Sequence, residues 1–266
     1  MPLSVCATPI GNLDDVTLRV LEELRSADVV LCEDTRHTRV LLDRHGISAR
    51  LLSYHEHNEA KRVAEVLPRL RAGERLALVS DAGLPGISDP GARLVAAALA
   101  AGVGVTVLPG PSAVDTALVA SGFAAERYQF VGFLPRGARA LGALWDELAG
   151  WAHPVVAFES PRRLPATLRS LAAVQPEREV AVCRELTKRF EEVARGSAEE
   201  IAARFAEPPK GEITLVLGPG GGRRDDDDAV AVVAELVSAG LSRRRAADLV
   251  ARLTGASRNE LYRRTL

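Results

Sequence analysis

At 266 residues, with 47% hydrophobic and 26% charged, the chain can bury one large or two medium cores and has the balance of an ordinary folded protein. No apolar run reaches spanning length, and Pro9 and Gly11 break the N-terminal segment, so neither a membrane partner nor a secretory leader is expected and a cytoplasmic setting is. The net charge of −1 is unevenly spread: from Ser242 onward seven arginines face only Asp248 and Glu260, a local excess of +5.

Residues 3–8 read as a strand and 14–24 as a helix with acidic residues in its first turn. Strand 28–32, helix 37–45, strand 50–54 and helix 58–71 repeat the unit. Strand 76–80, helix 93–101, strand 103–108 and helix 112–122 complete it, with Gly46, Gly73, Gly102 and Gly122 at the helix ends. This βαβα rhythm with continuous apolar strands predicts a parallel-rich sheet covered on both faces. After Phe123 strands come closer together (128–134, 155–159, 180–185, 192–195, 213–217), which predicts a second α/β domain with a mixed sheet. The expected division is 1–110, 111–218, a flexible linker over 219–228 (within GPGGGRRDDDD) and a basic helical module over 229–266. Cys6, Cys32 and Cys183 form no CxxC pair and sit in apolar, strand-like surroundings, the pattern of buried thiols in a reducing compartment.

Three loops share a composition. CATPIGNLD (6–14), SDAGLPGISDPG (80–91) and VLPGPSA (107–113) each follow an apolar strand and are rich in Gly, Pro and small polar residues. In a parallel sheet all three leave at one edge, where ligands of open α/β sheets bind. Asp89 or Ser88 is placed to cap the helix that follows the second loop, with Pro90 at its first position. None of the loops is a Walker A or G-x-G-x-x-G motif, so triphosphate and ordinary dinucleotide sites are poorly supported.

Other clusters remain open between function and structure. CEDTRHT (32–38) offers Glu33 and Asp34 as ligand-orienting or proton-accepting groups and Arg36, His37 and Arg39 as phosphate contacts; the alternative is an ion-pair network with a helix cap. His55 and His57 of YHEHNE share a strand face, yet no third ligand at zinc spacing follows, and polar recognition is favoured over metal. FESPRR (158–163) and CRELTKRFEE (183–192) carry mixed charges beyond apolar strands. Lys188 is one of only three lysines among 34 basic residues. It is either a base whose pKa is depressed by burial and by Arg184 and Arg189, or a lysine paired with Glu185, Glu191 or Glu192. In the C-terminal module, two short helix patterns around Gly255 resemble a helix-turn-helix, with Ser257 and Glu260 at capping-box spacing and arginines for phosphate contact.

Taken together, CATPIGNLDDVTLRVLEEL, CEDTRHTRVLL, SYHEHNE, LVSDAGLPGISDPG, LPGPSA, FVGFLPR, FESPRRL, RELTKRFEE and KGEITLVLG closely resemble the ribosomal RNA small subunit methyltransferase I family of the tetrapyrrole methylase superfamily. The resemblance runs from Leu3 to Leu217, and the basic tail is similar to the family's RNA-associated module. It implies two α/β domains of tetrapyrrole-methylase type with a cofactor cleft between them, plus the small C-terminal helical module. It also implies S-adenosylmethionine as cofactor, no metal, a homodimer, and 2′-O-methylation of a specific cytidine in the decoding centre of 16S rRNA, free or in the small ribosomal subunit.

Carried over motif by motif, cofactor contacts fall on Pro9, Ile10, Ser80, Asp81, Ala82, Gly83, Leu84, Ile87, Ser112 and Ala113, and from the second domain on Glu159, Ser160, Arg184 and Thr214. Gly86 stands where the family commonly has a bulkier apolar residue. Asp34, His37 and Lys188 are the candidates for acceptor contact or base, and Arg36, Arg39, Arg243, Arg244, Arg245 and Arg258 for RNA contact. Two other readings stay open: a tetrapyrrole or protein methyltransferase of the same fold, and a non-catalytic RNA-binding assembly factor. EDTRHT and the basic tail weigh against the first, the intact strand-end loops against the second.

Overall fold

The computed structural model describes residues 2–220, 222–254 and 256–266. The first lobe contains β1 (Leu3–Cys6), α1 (Leu18–Ser26), β2 (Val29–Cys32), α2 (Thr35–Arg44), β3 (Leu51–Ser53), α3 (Glu59–Arg71), β4 (Leu76–Leu78), α4 (Ala92–Ala100) and β5 (Val105–Leu108). Its strands run parallel in the order β3-β2-β4-β1-β5. They are apolar throughout because helices cover both faces. Leu3, Val5, Val29, Leu31, Leu76 and Leu78 pack with Val66 and Leu70 of α3 and Leu94 of α4. On the other face Cys6, Val30, Cys32 and Ala77 pack with Val20 and Leu24 of α1 and Leu42 of α2.

Two helix starts differ from expectation. α1 begins at Leu18, where the Thr17 hydroxyl accepts the Val20 N–H. Asp14 and Asp15 lie in the preceding turn, bonded through their N–H groups to Asn12. The Asp14 carboxylate is held by Arg44 at 2.9 Å instead of serving a helix end. α4 begins at Ala92 behind Gly91, so neither Asp89 nor Ser88 caps it and Pro90 is not its first residue. Gly91 has φ +144°, and a Cβ there would lie 3.2 Å from both the Gly86 nitrogen and Leu78 Cδ2. The loop therefore folds back on itself before the helix starts.

The second lobe comprises α5 (Ala113–Ser121), β6 (Gln129–Phe133), α6 (Ala138–Ala149), β7 (Val155–Glu159), α7 (Leu164–Ala172), β8 (Glu179–Arg184), β9 (Glu192–Ser197), α8 (Ala198–Arg204) and β10 (Ile213–Leu217). Its sheet, β6-β7-β10-β8-β9, is mixed: β6 pairs parallel with β7, and the remaining pairs are antiparallel. α6, α7 and α8 cover one face around Trp145, Leu148, Leu164 and Leu168. α5 covers the other, with Val114, Ala117 and Leu118 against Val156, Ala181, Cys183 and Val216. Ile10, from the loop after β1, joins that cluster, so a first-lobe side chain is built into the second lobe's core. The chain crosses between lobes in the few residues from Leu108 to Ala113.

α9 (Gly222–Ser238), α10 (Arg243–Thr254) and α11 (Arg258–Arg264) form the C-terminal module around Ala229, Val233, Ala246, Ala247, Val250 and Leu261. α9 takes in residues 222–228, which were expected to be a flexible linker. Ser257 precedes α11 without a side-chain cap, so the expected capping box with Glu260 is not formed. A complete one occurs instead at Ser197 and Glu200 of α8. Cys6, Cys32 and Cys183 are buried and free, and burial pushes the Cys6 and Cys183 thiols up to about 12 and about 11, which keeps them inert. Among the described residues no helix is long and apolar enough to cross a membrane.

Candidate active site

The strand order brings four sequence-distant loops together. β2, β4, β1 and β5 are successive neighbours, so CEDTRHT, SDAGLPGISDPG, CATPIGNLD and VLPGPSA all leave the same sheet edge. They are joined physically. Thr8 and Gly83 exchange backbone hydrogen bonds of 2.8 and 3.1 Å. The Thr8 hydroxyl donates to the Ser80 carbonyl at 3.0 Å, and the buried Ser80 hydroxyl donates to the Gly83 carbonyl at 3.2 Å. A Cβ on Gly83 would lie 3.7 Å from the Pro111 carbonyl, and one on Gly110 would meet Ala7 Cβ at 2.9 Å. Gly83 has φ +79°, which glycine adopts without strain.

Between these loops and the second lobe lies a cavity of about 240 Å³ lined by Thr8, Pro9, Ile10, Gly11, Leu13, His37, Thr38, Leu41, Ser80, Asp81, Ala82, Lys188 and Glu212. Pro9, Ile10, Ser80, Asp81 and Ala82 of the expected cofactor set are on it, together with His37 and Lys188. Leu84 packs against the first-lobe core instead. Ile87 is exposed at the loop tip, and the neighbouring Ser88 Oγ lies 3.7 Å from where a Cβ of Gly132 would stand. Ser112 caps α5, its hydroxyl accepting the Asp115 N–H, and Ala113 packs on the interlobe cluster. Thr214 is buried in β10. It alternates with Ile213 and Leu215, so it shares the α5 side of the sheet with Val216.

Glu159 and Arg184 have other work. The Glu159 carboxylate is fully buried and meets Arg163 in an ion pair. It also accepts the Thr167 hydroxyl at 2.6 Å and the Ser160 N–H at 2.6 Å. Nothing of it is left for a ligand. Arg184 is paired with Glu192 at 2.9 Å and donates to the Lys210 carbonyl at 3.1 Å. A buried arginine that sequence reasoning passed over, Arg178, joins carbonyls of Leu148 and Gly218. Burial lowers its pKa to about 10.

For Lys188 two readings were open, a base with a depressed pKa or a lysine paired with Glu185, Glu191 or Glu192, and the pairing with Glu185 is the one observed. Burial acts to depress the pKa, but hydrogen bonds to Glu212 (2.8 Å) and Glu185 (3.0 Å) outweigh it, and the ammonium is held above the ordinary lysine value. That pairing favours a structural cation over a base. Asp34 is likewise unsuited to accept a proton. Its carboxylate caps α2 through the Arg36 N–H and pairs with the Arg36 guanidinium at 2.8 Å, which holds its pKa well below the usual carboxylate range. Arg36 forms that pair, whereas Arg39 is exposed and has no ion-pair partner among the described residues.

Behind Asp81 lies an acidic group that composition alone did not single out. Burial, then Glu33 and Asp81, push Asp89 up to about 6, against a Ser80 hydrogen bond that lowers it. Burial and Asp81 also raise Glu33. Asp81 itself accepts the Asp34 N–H at 3.2 Å. Glu212 was missed too, because a lone acid before a strand carries no sequence signal. Among the described residues no group of three or more His, Cys, Asp or Glu is arranged to hold a metal. Of the predicted RNA contacts in the module, Arg244, Arg245 and Arg258 are exposed, while Arg243 is half-buried on α10.

A parallel sheet and a mixed sheet joined by a short crossover, with a cleft built on strand-end loops, make up a two-lobed α/β architecture whose class the family comparison supplies. The chain belongs to the tetrapyrrole methylase family: the family described as Tetrapyrrole (Corrin/Porphyrin) Methylases matches residues 2–202. A second family, described as RsmI C-terminal HTH domain, matches residues 224–266. Within the larger family its relatives carry the name ribosomal RNA small subunit methyltransferase I. The Mesorhizobium japonicum protein of that name is 43% identical over 99% of this chain and 91% of its own length. The Thermotoga maritima protein is 46% identical over 81% of this chain and 97% of its own length. The fold is shared with uroporphyrin-III C-methyltransferase from Thermus thermophilus in complex with S-adenosylhomocysteine, at TM-score 0.58 and 19% identity over 82% of this chain and 97% of that one.

Proposed function

We propose that the protein is an S-adenosylmethionine-dependent methyltransferase that acts in the cytoplasm, as a homodimer, on the ribose 2′-hydroxyl of a cytidine in the decoding centre of 16S rRNA. The observation that carries the reading is the convergence of the β1, β4 and β5 loops on one interlobe cavity in a chain 43% identical, nearly end to end, to a ribosomal RNA small subunit methyltransferase I. The residues on the cavity suit such a cofactor in their chemistry. Its walls are loop backbone brought close by Gly11 and Gly83, with small and apolar side chains for an adenosyl group and the carboxylate of Asp81 for polar contact. Pro9, Ile10, Ser80, Asp81 and Ala82 would hold it.

Bound there, the cofactor would supply a methyl group on a sulfonium, open to displacement by the hydroxyl oxygen with the thioether as leaving group. The residues then have to align the hydroxyl, exclude water and take one proton. Of the titratable side chains on the cavity, His37 and Asp81 are the candidates to accept the proton. His37 sits in the first turn of α2, on the exposed rim. Asp81 is backed by Glu33 and Asp89, whose raised pKa values give the cluster room for a proton.

The decisive experiment incubates the protein with labelled S-adenosylmethionine and small ribosomal subunits from a strain lacking this modification, then maps the label. Label on one cytidine ribose is expected. Label on a base, or none on either free rRNA or subunits, refutes the reading; binding of S-adenosylmethionine without transfer to RNA would favour another substrate of the same fold. Removal of α9–α11 is expected to weaken RNA binding in a salt-dependent way and to spare cofactor binding.

A further inference from the structure

The β8–β9 loop, residues 185–191, is locked in an unusual shape. Glu185 and Thr187 adopt left-handed backbone, with φ +52° and +63°, although neither is glycine and Thr187 is β-branched. Such strain persists only where neighbours over-determine it. Here the Glu212 N–H donates to the Glu185 carboxylate at 3.0 Å, the Thr187 N–H to the Glu191 carboxylate at 2.6 Å, and the Asn12 N–H from the first lobe to the Thr187 hydroxyl at 2.9 Å. The tip of the loop is presented rigidly to solvent, and it carries Arg189 and Phe190. The Phe190 ring is 65% exposed, more than a large aromatic side chain on a folded surface ordinarily is. The Arg189 guanidinium stands 5.4 Å from the ring centroid and has no ion-pair partner among the described residues. Beside them an open cavity of about 480 Å³ is lined by Asn12, Asp14, Arg44, Thr187, Lys188 and Arg189, among others. Gly11, Leu13 and Lys188 belong both to its wall and to that of the cavity described above. Of the two partners of Lys188, Glu212 is 74% exposed and Glu185 only 19%, so one carboxylate is displaced easily and the other is not.

We propose that Phe190, Arg189 and the outer cavity of Lys188 and Arg44 form the site for an unpaired RNA nucleotide next to the one that is methylated. The base stacks on the Phe190 ring. Its phosphate takes the place of Glu212 on Lys188 and bonds Arg189. A ring face with a guanidinium over it and cations beneath is the combination that grips single-stranded RNA, since every base has a face to stack and every linkage a charge to neutralise. Paired RNA does not satisfy the site, because its bases are stacked on one another. The assignment rests on the RNA methyltransferase reading above, and it adds the strand geometry that reading lacks.

The test uses the full chain. Phe190→Ala is expected to raise KM for unmethylated small subunits roughly five- to hundredfold, the range for loss of one stacked base. The value of kcat and the affinity for S-adenosylmethionine should stay within about twofold, and Phe190→Trp should restore KM. The fluorescence added by Phe190→Trp should be quenched by a single-stranded oligonucleotide of the decoding-centre sequence and not by the same strand paired to its complement. An unchanged KM for Phe190→Ala, or no quenching, overturns the site; an altered sedimentation behaviour with unchanged KM assigns the ring to a contact between copies of the chain. Quenching without methyl transfer by the unmutated protein leaves the site standing and removes the RNA methyltransferase reading. Transfer without quenching does the reverse.

Discussion

Gly11 offers the sharpest probe of how the two lobes meet. A Cβ at this position would lie 2.5 Å from Lys188 Cγ and 2.7 Å from both the Leu186 carbonyl oxygen and Thr187 Oγ1. Ordinary contact begins near 3.4 Å, so Gly11→Ala requires a displacement of roughly 0.7–0.9 Å, and two of the three atoms sit on a backbone or a short side chain that is hydrogen-bonded in place. The φ of Gly11 lies outside the left-handed region, so backbone strain does not confuse the result. Overpacking of this kind costs about 1–3 kcal/mol, which lowers the melting temperature by several degrees in a chain this long. The larger effect should be on transfer. The overlap pushes the β8–β9 loop away from the loop that forms the cavity floor, and a displacement near 1 Å at a reacting centre costs about a hundredfold in rate. Calorimetric titration with S-adenosylmethionine, thermal unfolding and labelled methyl transfer measure the three quantities. Gly142→Ala, in α6 with nothing within 4 Å of its Cβ position, is the control: affinity and rate should stay the same and the melting temperature should rise slightly, since alanine favours the helix. A Gly11→Ala protein with melting temperature, affinity and rate all like the unmutated one would show that the lobes do not touch as described.

Glu159→Ala should destabilise by about 3–5 kcal/mol in urea unfolding, because it strands the Arg163 guanidinium beside a fully buried site, yet folded molecules should bind the cofactor normally; the reverse pattern would place Glu159 on the ligand. Lys188 stays protonated across the working range, so the pH–rate profile should lack a lysine limb between pH 7 and 9, and Lys188→Arg should keep transfer within about tenfold, whereas a limb near pH 8 lost in that variant would restore the base assignment. Asp89 has a folded pKa near 6, above its ordinary 3.8, so the neutral acid is favoured by folding. Its stabilisation is complete below about pH 4 and is lost as pH rises through 6. Urea midpoints should therefore fall over that window in the unmutated protein more than in Asp89→Asn, and equal slopes would contradict the burial of this carboxyl.

Much of the architecture can be read along the chain. Period and length give the alternating helices and strands, and continuous apolar runs such as Val29–Cys32 mark strands covered on both sides. Left-handed glycines at 46, 73, 102 and 122 stop their helices locally, without help from distant residues. Where the helices start was less legible. Asp14 looks like a first-turn acid until Arg44, thirty residues away, claims it, and Gly91 replaces Ser88 and Asp89 as cap because its loop doubles back on Gly86. The glycine- and proline-rich loops could be recognised one by one, since their composition records a demand on their own backbone.

Their meeting was settled by strand order, which puts β4, β1 and β5 side by side. The roles of charged groups depended on the same long-range assembly. Lys188 is paired because Glu212 arrives just before β10, Asp34 becomes a capped and paired carboxylate, and Asp89 and Glu33 rise because folding buries them, with Asp81 nearby adding to the effect. A side chain's type is written in the sequence. Its protonation is set by burial and by neighbours within a few ångströms, which only the folded chain supplies. The sequence by itself determined two α/β lobes, a helical basic tail and a loop chemistry suited to a small ligand, while the tertiary structure decided which loops share the cavity, how the titratable groups on it are paired, and that Arg189 lines the open cavity adjoining it.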